Sequence, residues 1–124
     1  MRAAHQRGRP DRGSVTAEAA VLLPVLLIVL GAALWAVAIV GVQLQCVDAA
    51  RAGARAAARG EVIDEVRRTV LRAVPAGARV EVIPGTETTR VEVVAVVEPF
   101  PGAVLPPVRV TAAAVSATEP GVVP

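Results

Sequence analysis

The chain is poor in the residues that usually build a soluble core or a reactive site. Among 124 residues there is one Trp, one Phe and no Tyr. Aromatic side chains carry much of the buried area of small domains, so any folded part here should be small and dependent on its surroundings. Cys46 is the single cysteine, which excludes an intramolecular disulfide. Its plain reading is a small side chain at the end of an apolar helix. His5 is the single histidine. With no Cys pair and no grouped acids beside it, neither a metal site nor a catalytic triad can be assembled. The expectation is a protein with no cofactor and no enzymatic activity. Lysine is absent, and all 13 basic residues are Arg. The net charge of +2 is mild, and no basic patch alternates with stacking aromatics. Nucleic acid is therefore set aside as a partner.

Apolar residues make up 54% of the chain, very unevenly distributed. Residues 19–42 are all apolar, Gly or Pro. As a helix rising about 1.5 Å per residue this run spans roughly 36 Å, enough to cross a hydrocarbon core of about 30 Å with some tilt. Pro24 lies inside it, which membrane helices tolerate better than soluble ones. Trp35 sits in the middle of the run rather than at its ends, so it is expected to pack against another helix. The run exceeds the roughly 7–15 apolar residues of a secretory signal, and its small residues fall mid-run, which argues against signal-peptidase cleavage.

Around this run the chain divides as follows. Residues 1–13, "MRAAHQRGRPDRG", form a basic leader in which Gly and Pro should break any helix. Residues 14–47 are expected as a transmembrane helix. Residues 48–74 continue as a helix outside the membrane, with Gly60 a stop signal within it. Arg51, Arg55 and Arg59 recur every four residues on one face, read as solvated. Val62, Ile63, Val66 and Val70 give the second half an apolar stripe. Past Pro75 the period changes to two. Strands are expected at 79–83, 90–97 and 108–117, within a small strand-rich domain over 78–117 and followed by a tail at 118–124. The turn "PGTETT" makes the first two a hairpin. The expected fold class is α+β: a long N-terminal helix, then a three-stranded antiparallel sheet whose one face packs on the preceding helix.

One residue does not fit a plain anchor. Glu18 stands at the start of the apolar run, and no other charge follows until Asp48. A carboxylate near the bilayer centre costs about 2.5–3.5 kcal/mol, less near the interface, and such groups usually have a partner. An acid is also favourable near a helix N-terminus, which is the simple alternative account. That account leaves Gly13 and the four-Arg leader unexplained.

The stretch "DRGSVTAEAAVLLPVLL" resembles the processing site of type IV prepilins, and more closely the start of TadE-like proteins, minor pilins or pseudopilins of tight-adherence (Tad) pilus systems. The resemblance lies in a basic leader ending at Gly13, an acid five residues later at Glu18, an apolar helix, and Pro24 shortly after the acid. The segment "CVDAARAGARAAARGE" at 46–61 is similar as well. The resemblance covers roughly the first half of the chain. It implies cleavage by a prepilin peptidase between Gly13 and Ser14. It also implies that Glu18 serves assembly, pairing with the new α-amino group of a neighbouring subunit. The implied partners are the lipid bilayer, the peptidase, other pilin or pseudopilin subunits and the Tad assembly platform. The implied location is the cytoplasmic membrane, crossed once with the N-terminus inside and the C-terminus outside, or a surface pilus. The rival reading is a single-pass anchored protein with a small extracytoplasmic interaction domain.

Overall fold

A computed structural model describes residues 10–121, with side chains from Arg12 onward. The element order is helix α1 (Pro10–Ala58), helix α2 (Ile63–Ala73) and strands β1 (Arg79–Ile83), β2 (Thr88–Val97) and β3 (Val108–Ala117). The chain divides into two compact units, Met1–Trp35 and Ala36–Pro124.

The first unit contains the N-terminal part of α1. Its helix begins inside the expected leader, at Pro10, and runs through Gly13. Residues 10–13 are thus helical rather than broken. Proline is suited to a first helical turn, where its missing N–H would have no partner in any case. The remaining leader residues, 1–9, lie outside the described residues. The helix is continuous across Pro24. Its large aliphatic side chains, including Leu22, Leu26, Leu27, Ile28 and Leu30, are exposed. Trp35 is partly buried, with no second helix among the described residues of this unit.

The second unit has a core of Val and Ala. Along the last part of α1, Cys46, Ala49, Ala50, Ala54 and Ala57 are buried, at the three-and-four spacing of one helical face. They meet Val66 and Val70 of α2 and Val82, Val91, Val93, Ala95, Val110 and Ala112 of the sheet. Small side chains let these elements approach closely. A Cβ built on Gly53 would lie 2.6 Å from Cγ2 of Val70, so only glycine fits there without displacement. The polar faces fall where the sequence placed them: Arg51, Arg55 and Arg59 are exposed. The expected apolar stripe of α2 holds for three of its four residues, Ile63 being partly buried against the same core. Val66 and Val70 are buried, while Val62 precedes the helix and is exposed.

The helical stretch expected over 48–74 divides at Gly60, the stop signal within it, into the end of α1 and α2. Gly60 adopts φ 84°, and the Gly60 N–H donates to the Ala57 carbonyl while the Glu61 N–H donates to that of Ala56. This is the paired closure that a left-handed glycine gives a helix C-terminus. The Glu119 N–H donates to the Ala58 carbonyl at 3.1 Å and satisfies another of the last carbonyls. Helix α2 then opens with Asp64 and Glu65 in its first turn and closes with Arg72 in its last, both favourable to its dipole.

The sheet has order β1-β2-β3, antiparallel throughout. Ile83 pairs with Arg90 across the hairpin, and Val93 pairs with Ala112 across the second ladder. Burial alternates along β2: Thr89, Val91, Val93 and Ala95 are buried, and Arg90 and Val96 are exposed. This is the α+β architecture expected, with β1 and β3 at the expected bounds. β2 starts two residues earlier, because Thr88 and Thr89 pair with Ala117 and Ser116 of β3 beyond the reach of β1. The start of the expected tail is also held. The Thr118 hydroxyl donates to the Gly85 carbonyl and accepts from the buried Thr89 hydroxyl at 3.0 Å.

Candidate functional site

Gly13, Ser14 and Glu18 all lie on the N-terminal part of α1 and are exposed. Ser14 and Glu18 are four residues apart, about 6 Å along the axis, and share a face. With Ala17, Val21 and Leu22 they line one open groove on the helix surface. Among the described residues Glu18 has no hydrogen bond and no ion pair; the ion pairs present join Arg59 to Glu61, Arg67 to Asp64, Arg68 to Glu65 and Arg90 to Glu92. An exposed carboxylate adjoining a long apolar surface can meet a cation from another chain.

The peptide bond between Gly13 and Ser14 is helical. It is bridged by a local clip, in which the Thr16 hydroxyl donates to the Arg12 carbonyl at 2.9 Å. Among the described residues no heavy atom lies within 4 Å of the position a Cβ on Gly13 would occupy, so their packing does not require the glycine. Glycine costs about 1 kcal/mol relative to Ala inside a helix. Gly13 therefore weakens the first turns of α1 locally.

Beyond Glu18 the helix surface is lipid-like. The segment is long and apolar enough to cross a membrane, and none of its most apolar window is buried. Exposed apolar surface on this scale marks a membrane or protein interaction site.

No local pattern in the sequence marks two glutamines that tie the last part of α1 to β3 and α2 within the second unit. Gln43 Nε2 donates to the Thr111 carbonyl of β3 at 3.2 Å, and Gln45 Nε2 donates to the Ala73 carbonyl at the end of α2 at 2.8 Å. Their one signal was their place, two amides flanking Leu44 where the apolar run gives way to polar sequence. The buried Ala residues of 46–57 carry the three-and-four spacing of one helical face, a signal present in the sequence.

Fold and site together define a class: a chain with one helix able to span a bilayer, an acid at that helix's N-terminal side, and a small α+β domain after it. Within it, the family described as TadE-like protein matches residues 13–55. The match opens at Gly13, takes in Glu18 and Pro24, and ends within α1. The TadE-like resemblance read from the sequence is thus supported over this segment, and the sheet lies outside it. No curated protein and no solved structure matches the chain.

Proposed function

We propose that the chain is a minor pilin or pseudopilin-like subunit of a Tad-type pilus or a related secretion apparatus, with a structural rather than catalytic role. The TadE-like match over 13–55 carries the coarse statement, an association with Tad pilus systems through a membrane-type helix. The finer reading rests on Glu18, exposed and without a partner among the described residues, at the start of the apolar surface. In this reading the chain enters the cytoplasmic membrane with its N-terminus inside and the sheet outside. A prepilin peptidase then cuts after Gly13. The cut removes the basic leader and frees an α-amino group on Ser14, a group that ordinarily titrates at about pH 7.7–8.0 and so is largely cationic at neutral pH. Glu18 of one subunit pairs with that amino group of its neighbour, and the low dielectric around the helices strengthens the attraction. The assembly platform and other subunits are its partners.

The test is the mass of the chain recovered from membranes that contain the peptidase. The expected mature N-terminus is Ser14. Gly13→Leu introduces bulk beside the scissile bond and is expected to leave a full-length precursor. A mature mass from the Gly13→Leu variant, or an intact leader on the unaltered chain, would remove the pilin reading in favour of a plain anchor.

A further inference from the structure

The loop joining β2 to β3, residues 98–107, reads "EPFPGAVLPP". It carries one charge, Glu98, at its start. Phe100 is 61% exposed, Val104 101% and Leu105 36%. Apolar side chains grouped in this way on a loop need a reason.

The direction of β3 supplies one. Within the second unit two hydrogen bonds align β3 with α1: Gln43 with Thr111, and Ala58 with Glu119. From Thr111 to Glu119 an extended chain covers about 26 Å. From Gln43 to Ala58 a helix covers about 22 Å. Strand and helix therefore run in the same sense, inclined by roughly 30° on those two lengths. Followed back from Thr111, the strand reaches Val108 after about 10 Å, level with helix residues near Val37. The packing agrees, since Ile39 and Val42 of α1 and Val97 at the end of β2 all lie against the same core. Loop 98–107 thus leaves the sheet from Val97 and Val108 at the level of Val37, within the last part of the apolar run. The opposite end of the unit is polar, with Arg59, Gly60 and Glu61 after α1 and the hairpin turn Pro84–Glu87.

The loop backbone also suits a dry setting. Pro99, Pro101, Pro106 and Pro107 have no N–H to leave unpaired, and the Ala103 N–H donates to the Phe100 carbonyl at 3.1 Å. Fewer open donors lower the cost of leaving water.

We propose that loop 98–107 is a second membrane contact, which seats Phe100, Val104 and Leu105 in the surface of the bilayer that α1 crosses. The proposal rests on the reading of residues 19–42 as membrane-spanning. With α1 it would fix the sheet against the lipid at two points and set the domain's rotation about the helix.

Trp35 is the single tryptophan and lies within the apolar run, so it reports on the span itself. The full chain is placed in phosphatidylcholine vesicles whose acyl chains carry bromine either near the headgroup or near the chain end. Val104→Trp and Ile83→Trp are each made in a Trp35→Phe background; both sites are exposed, and Ile83 is at the hairpin end. The expected result is that Trp35 and Trp at 104 lose emission, the latter mainly to the bromine near the headgroup, while Trp at 83 does not. Quenching of Trp35 without quenching at 104 would overturn the loop contact and leave the span intact. Equal quenching at 104 and 83 would overturn the orientation argument. An unquenched Trp35 would remove the span and the loop contact with it.

Discussion

Helix α1 carries two apolar surfaces that differ in side-chain size. Before Trp35 it presents Leu, Val and Ile, nearly all exposed. From Cys46 onward its apolar face is Ala and Gly, and it is buried. The contrast separates two ways of satisfying an apolar helix. Lipid conforms to whatever it meets, so large flexible side chains cost nothing there. A neighbouring helix and sheet have fixed shape, and close packing at interior density leaves room for a methyl group or for none. Gly53 against Val70 is the limiting case.

The largest expected effect comes from charging the first surface. Leu26→Arg with Leu30→Arg places two cations mid-run, at about 3 kcal/mol each at a helix centre, roughly 6 together. The variant is expected to leave the membrane fraction on alkaline extraction. Full retention there would mean that this surface faces something other than lipid.

Next comes one substitution made on both surfaces. Ala54→Leu overfills a site that is 1% exposed and is expected to lower stability by about 1–3 kcal/mol, read as a fall in the thermal midpoint in detergent. Ala33→Leu, on the exposed surface, is expected to leave that midpoint unchanged. Equal effects at the two sites would erase the distinction.

A smaller effect is expected away from the helix. Thr118→Val removes the hydroxyl that bridges Gly85 and the buried Thr89, and leaves Thr89 without its acceptor. The cost is expected at about 1 kcal/mol, near the low end of what an unsatisfied buried polar group commands. It should appear in the same melting measurement, with no change in membrane retention.

The strands were largely legible because period two is a direct signature of a half-buried sheet, and 79–83 and 108–117 come out at the bounds the pattern sets. β2 was cut short because Thr88 and Thr89 belong by composition to the turn, yet β3 extends past β1 and pairs with them. Pro10, by residue type a helix breaker, stands at a helix start, where proline is accommodated. At the candidate site, Glu18 stands out in the sequence as a charge at the head of an apolar run, while Gly13 and Ser14 are singled out by the prepilin resemblance. The contacts of Gln43, Gln45 and Thr118 were not, because they join segments far apart in sequence and no local period marks them.

The central claim is that Glu18 serves assembly rather than anchoring, and its most direct test is incorporation of charge variants. Removing a carboxylate should ease membrane insertion, so a plain anchor would tolerate Glu18→Ala or gain from it. A subunit that pairs through this group would not. Glu18→Gln and Glu18→Ala are expected to insert and to be cleaved, yet to fail to co-purify with other pilus subunits and assembly components. Glu18→Asp, which keeps the charge at shorter reach, is expected to fall between these and the unaltered chain. Incorporation of Glu18→Ala at the level of the unaltered chain would contradict the account and leave Glu18 as an interfacial charge.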